Sequence, residues 1–252
     1  MGKVIAITNQ KGGVGKTTTA VNLSSVLAAR GSRVLLIDID AQGNACSGIG
    51  FEKSGEKSIY EVLVEGESFL NVIRPSIYDN LNIVPVNIHL QGAEARLMEL
   101  EDRNYRLKKA LKEIKNDYDY VFIDCPPTLN VITLNALAAA DSVIIPLQCE
   151  YYALEGIAEL LKTINHVQRY INNSLKIEGV LLTMFNTTTN LSNEVMDQAI
   201  TYFSDKVYKT IIPRNVKLAE APSHGQPINV YDPSSVGAKS YEKLAMEFMA
   251  NG

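Results

Sequence analysis

The sequence predicts an α/β fold: a mostly parallel, twisted sheet with helices on both faces. Three observations carry that expectation. Short, nearly continuous apolar runs rich in Val and Ile recur along the 252 residues, as strands covered on both faces require. Longer helix-patterned stretches separate them, and strand, helix, strand spacing implies right-handed crossovers between parallel strands. The first apolar run passes directly into a glycine-rich loop and then a helix, "KVIAITNQKGGVGKTTTAVNL" over residues 3–23.

The strands are expected at 3–8, 33–38, 81–86, 118–124, 142–147, 176–185 and 206–213. Helices are expected at 16–30, 105–116, 130–139, 155–172, 190–203 and 235–249, the first closed by Gly31 as a C-terminal glycine closes helices. The most polar, loop-like stretch is "EKSGEKS" at 52–58. No repeat or linker rich in Pro, Gly or Ser divides the chain, so residues 1–252 read as a single domain, long enough to bury a sizeable core.

Lys plus Arg is 24 against Asp plus Glu 28, a net charge of −4, so any basic surface must be local. Cys46, Cys125 and Cys149 form no Cys-x-x-Cys pair and read as reduced thiols of a cytoplasmic protein. The N-terminus lacks the pattern of a secretion signal, and no eighteen-residue apolar run exists to span a membrane. His89, His166 and His224 lie far apart and in no ligand spacing. Tyr151 and Tyr152 read as a packed strand-to-helix connection. The final stretch "SYEKLAMEFMANG" sets two acids against one lysine and reads as a docked helix, since a membrane-surface helix wants a more basic face.

The loop carries the chemistry. Gly12, Gly13 and Gly15 let successive backbone N–H groups converge on an anion where side chains would block it. The helix N-terminus adds its partial positive charge. Lys16 would reach the β- and γ-phosphates of a nucleotide, and the Thr17 hydroxyl would bind Mg²⁺. The ordinary phosphate-loop pattern fails at one place, with Gln10 where its first glycine belongs. A second lysine, Lys11, stands next to it, although one lysine suffices for the terminal phosphates.

In an open α/β sheet the ligand sits beyond the carboxyl ends of the strands. Asp38 and Asp40 follow the strand-like run at 33–37, and Asp124 follows the one at 120–123. Asp124 follows four apolar residues and precedes Cys125-Pro126-Pro127, the pattern of an acid beside Mg²⁺. Asn130 is better placed than Asp124 to cap the following helix.

"KGGVGKTT" (11–18) resembles the deviant phosphate loop of the partitioning ATPases, the ParA and Soj proteins, relatives of MinD and the nitrogenase iron protein. The resemblance covers nearly the whole chain: "VLLIDIDAQGNACSGIG" (34–50), "FIDCPPTLNVITLNAL" (122–137), "QCEYYALEG" (148–156) and the segment 212–241 are similar to Soj-like members. It implies ATP and Mg²⁺ as cofactors, with nucleotide contacts from Lys11, Gly12, Gly13, Val14, Gly15, Lys16, Thr17 and Thr18. Lys11 would act across a two-fold axis on phosphates bound by a second copy, in a sandwich dimer. Asp40 would position the attacking water, Thr17, Asp38 and Asp124 would serve the metal, and Asn186, Pro213 and Asn215 would border the adenine. Ala41 departs from the proline usual after Asp40.

The resemblance further implies a nucleoid-associated cytoplasmic protein that binds double-stranded DNA without sequence preference and meets a ParB-like centromere-binding partner, with no membrane role. Arg214 and Lys217 stand at matching DNA-binding positions, with Lys206, Lys209 and Lys239 as neighbours. Thr188 and Ser234 replace basic residues common in the family, which implies weaker, less salt-sensitive DNA binding. The competing readings are a MinD-like membrane-positioning ATPase and a metabolic or redox enzyme on the same scaffold.

Overall fold

The computed structural model describes residues 2–52, 57–150 and 153–251. Seven strands, β1 (Lys3–Ile7), β2 (Val34–Asp38), β3 (Arg74–Pro75), β4 (Leu81–Val84), β5 (Tyr120–Asp124), β6 (Ser142–Gln148) and β7 (Lys176–Thr183), form one sheet in the order β3-β4-β2-β5-β1-β6-β7. All pairings are parallel except that of the two-residue β3 with β4. β2 and β6 are buried at every position, which is why they read as unbroken apolar runs.

The helices are α1 (Lys16–Ala29), α2 (Asn44–Gly48), α3 (Ala93–Met98), α4 (Arg106–Leu111), α5 (Val131–Ala139), α6 (Ala153–Tyr170), α7 (Asn190–Phe203), α8 (Val216–Glu220), α9 (Ile228–Tyr231) and α10 (Val236–Asn251). α1 is buried almost all round because the sheet covers one side and α10 the other. Tyr241 of α10 reaches Thr19 of α1, oxygen to oxygen 3.3 Å, and Arg30 pairs with Glu242 at 2.7 Å. The expected docking of the C-terminal helix is therefore observed. Asn130 caps α5 as expected, accepting from the N–H groups of Ile132 and Thr133.

Three expectations need correction. Residues 206–213 form no strand, only isolated bridges from Val207 to Val180 and from Pro213 to Phe185. Between them Glu247 of α10 takes the backbone N–H groups of Lys209 and Thr210, at 2.7 and 2.9 Å, and so interrupts the ladder. The helix expected at 105–116 stops at Leu111, after which tight bonds such as Glu113 N–H to Ala110 O replace the α pattern. The elements α2, α3, α8 and α9 were not expected, since four to six residues carry too little periodicity to read. The Tyr151–Tyr152 connection, and 53–56 of the polar stretch, lie outside the described residues.

One close contact sets the position of α8. The turn after it ends in Gly225, whose carbonyl oxygen would lie 2.8 Å from a Cβ on Gly50, just beyond α2. Both glycines have positive φ, so neither position accepts a side chain without strain. The loop after Asp40 and the segment that carries Lys217 thereby pack as one unit.

Candidate functional site

The register of the sheet assembles the site. Asp124 ends β5 and lies level with Ile7 of β1 on one side and Asp38 of β2 on the other. The glycine loop leaves β1 at this same end. Gly13 and Gly15 have φ of 72° and 90°, and a Cβ added at Gly12 or Gly13 would meet nothing within 4 Å. The loop therefore offers an open cradle of backbone rather than a packed turn. α1 begins at Lys16 with no side-chain cap, leaving its first N–H groups directed at the cradle.

Two residues outside the motif hold the loop. The Asn9 amide donates to Pro146 O at 2.8 Å while its oxygen accepts from Lys11 N–H at 3.0 Å. The Thr183 hydroxyl, at the end of β7, donates to Val14 O at 2.8 Å. Sequence reasoning missed both; Asn9 at least lies in the loop, but nothing local marks Thr183. Lys16 is buried and donates to the Lys11 carbonyl at 3.0 Å, bridging the loop. Burial lowers its pKa, and the neighbouring carboxyl groups of Asp124 and Asp40 act in the opposite direction.

The two buried aspartates differ. Asp38 accepts from the N–H groups of Asp40 and Cys46 at 3.1 and 3.0 Å, and these partly offset the burial that pushes its carboxyl up to about 6. Asp124 is fully buried, and neither of its oxygens has a hydrogen-bond partner. Burial and then the neighbouring Asp38 raise its pKa well above the usual carboxylate range, while the nearby Thr17 hydroxyl draws it down without full hydrogen-bond geometry. A buried carboxylate without donors is costly. A cation between Thr17 and Asp124 would remove that cost, and Mg²⁺, which takes few protein ligands beside phosphates and water, suits this donor set. Asp40 is half-buried, and its carboxylate accepts from Gln42 N–H at 3.0 Å.

Beside the first turn of α1 lies a cavity of about 190 Å³ that includes Gly15, Thr18, Thr183, Pro213, Asn215 and Tyr241 in its lining. It is smaller than the roughly 300–1,000 Å³ of drug-sized sites and suits one part of a larger ligand. A ligand with phosphates on the glycine loop would extend into it.

A family model described as "AAA domain" matches residues 2–177. "Sporulation initiation inhibitor protein Soj" of Bacillus subtilis (strain 168) is 56% identical over 253 residues, covering 100% of both chains. "Chromosome-partitioning ATPase Soj" of Treponema pallidum (strain Nichols) is 51% identical over 250 residues, 99% of this chain and 98% of that one. The chain belongs to the ParA/Soj family. Among solved structures, the cobyrinic acid a,c-diamide synthase of Mycobacterium smegmatis, with bound ATP analog and magnesium, is 37% identical with a TM-score of 0.86. It covers 98% of this chain and 93% of its own.

The remaining residues expected from the ParA/Soj resemblance fall into two groups. Pro213 and Asn215 line the cavity, but Asn186 is exposed and does not; its oxygen accepts from the Thr188 N–H and hydroxyl in a local turn. Asn215 also caps α8, accepting from Leu218 N–H at 3.2 Å. Arg214 and Lys217 are both exposed, and each has an acidic neighbour: Glu150 at 3.7 Å and Glu220 at 2.9 Å respectively. Lys217 also lies 5.7 Å from the Tyr231 ring centroid. Lys206 does not join them. It sits by Glu178 at the amino-terminal end of β7, roughly 16 Å of strand away from the Phe185–Pro213 bridge. Among the described residues no helix is long and apolar enough to cross a membrane.

Proposed function

We propose that this chain is a DNA-partitioning ATPase, with residues 1–252 as a single ATPase domain, that alternates between an ATP-bound, DNA-holding dimer and a released form. The observation that carries the nucleotide site is the unpartnered, fully buried Asp124 carboxylate beside Thr17, at the mouth of an open glycine loop. Gly12 to Thr18 hold the phosphates, Lys16 neutralises the terminal ones, and the cavity at Pro213 and Asn215 takes the base. Thr17 and Asp124, with Asp38 beside them, would hold Mg²⁺, which would supply charge to offset the phosphates. Asp40 orients the attacking water from its half-buried position, and such positioning supplies much of what phosphoryl transfer needs.

Lys11 serves the nucleotide of a second copy, so dimerisation depends on ATP. Arg214 and Lys217 contact DNA phosphates without reading sequence. A ParB-like partner stimulates hydrolysis and resets the cycle at the nucleoid. The partitioning reading is favoured over amide-forming chemistry because a full-length curated relative with a partitioning name stands at 51% identity, above the 37% of the synthase.

Comparing retention on unrelated duplexes with ATP, ADP and no nucleotide tests the reading; equal retention in all three would defeat it. In the same assay Lys11→Ala should keep ATP binding but lose ATP-dependent dimers by light scattering. A variant that still dimerises on ATP would remove Lys11 from the partner's site.

A further inference from the structure

One carboxylate touches both cations on which the proposed cycle turns. Glu150 lies two residues beyond β6, at the sheet end that carries the glycine loop. Its Oε2 is 3.3 Å from Lys11 Nζ, and its Oε1 is 3.7 Å from an Arg214 guanidinium nitrogen. The Gln148 amide donates to the same Oε1, and Glu150 N–H donates to Gln148 O at 2.9 Å, so the side chain is aimed by its own strand end. Lys11 and Arg214 are 203 positions apart in sequence, and this acid is what joins them.

We propose that Glu150 is a positioning residue that ties nucleotide engagement to DNA engagement, holding Lys11 and Arg214 until ATP draws both away. The proposal rests on the roles given above to those two cations. A partner's phosphates compete with Glu150 for the Lys11 ammonium. Arg214 also lines the cavity beside Gly15 and Thr18, so a base entering it competes for the guanidinium's place. The phosphates of the partner's nucleotide and the base of this copy's own thus act on two cations that share one anion.

The strength of the pairs suits such a role. The Glu150 side chain is 48% exposed, and the side chains of Lys11 and Arg214 are 32% and 67% exposed. Exposed pairs of this kind shift an equilibrium by only about 1.5- to 5-fold each. A polyphosphate overcomes that readily, whereas thermal motion leaves the pairs mostly formed. Because the contacts couple two sites, their loss must change both binding equilibria in the same sense.

Glu150→Gln keeps the shape and removes the charge. With retention on an unrelated duplex measured by anisotropy, the ATP concentration for half-maximal retention should fall by about 2- to 10-fold. Retention without nucleotide should rise, and thermal melting should be unchanged. Glu150→Asp should return the threshold towards wild type. In an Arg214→Ala background the charge removal should no longer raise nucleotide-free retention, which a purely structural role would not produce. An unchanged threshold, or one that rises, overturns the proposal. Wild-type protein without ATP-dependent retention would sink the underlying reading first, in the same titration and before any variant is compared.

Discussion

The two ends of the sheet follow opposite electrostatic rules. At the amino-terminal ends of the strands three cations meet acids: Lys3 with Glu178 at 2.8 Å, Lys115 with Asp141 at 2.9 Å, and Arg33 with Asp119 at 2.9 Å. Asp141 also accepts from Val4 N–H at 2.8 Å. At the carboxyl ends, Asp124 is left without a partner, Asp38 is pushed up to about 6, and burial lowers the pKa of Lys16. The amino-terminal end also has a groove of about 990 Å³, larger than the cavity of about 190 Å³ beside α1. Size therefore does not mark the site; incomplete charge compensation does. One end is finished by the protein itself, and the other is finished by a ligand.

The largest effect should come from Lys16→Ala, which removes the cation opposite Asp124. Affinity for a fluorescent ATP analogue should fall by about 100-fold, the scale of a lost charge-assisted hydrogen bond. Wild-type affinity in that variant would end the phosphate-loop assignment and the contrast with it.

Asp124→Asn should separate function from stability. Because burial already favours the protonated carboxyl, the variant should keep the midpoint of thermal unfolding within a few degrees of wild type without nucleotide, at about 2–4 °C per kcal/mol for a chain of this size. The same variant should lose the Mg²⁺ dependence of ATP binding. A melting temperature lowered by more than that would mean that Asp124 is structurally satisfied, contrary to its geometry.

The pH dependence of stability sharpens the comparison further. Asp38 binds its proton more tightly folded than unfolded, since its folded pKa of about 6 lies above the ordinary value of 3.8. Between those values the folded state holds more protons, so stability should fall as pH rises from about 4 to about 6. The contribution is at most about 3 kcal/mol by the conversion of pKa units. Asp119, at the other end, has the opposite sign: Arg33 holds its pKa below the ordinary value, so its contribution is lost as pH falls. Denaturant unfolding across pH, wild type against Asp38→Asn, should show a difference that shrinks below pH 4; parallel curves would show Asp38 to be uncoupled from folding.

The smallest effect belongs to the paired end. Lys115→Met should cost no more than about 1 kcal/mol, as partly exposed pairs generally do, and should leave ATP turnover unchanged. A large loss of turnover would show that the two ends are not independent.

Much of the active end was legible in advance. The strand, glycine loop and helix of residues 3–29, the acids at strand ends and the Asn130 cap all follow from local pattern. Residues 206–213 were misread because their apolar spacing resembles a strand, while the side chain that breaks the ladder, Glu247, is 37 residues beyond Thr210. Lys206 was grouped with Arg214 on sequence proximity, yet the chain between them runs the length of half a strand. Glu150 escaped notice because its importance lies in what it touches, Lys11 and Arg214, neither of them near it in sequence.

By itself the sequence determined the fold class, the phosphate-binding loop and the family resemblance, because periodicity, glycine spacing and strand-end acids are properties of short stretches. Only the tertiary structure decided that Asp38 and Asp124 stand level on adjacent strands, that Asp124 goes unpartnered while Asp38 does not, and that α10 covers α1. Each of those facts depends on strand order and on which distant backbone donor arrives within about 3 Å, and burial turns that difference of position into a difference of charge state.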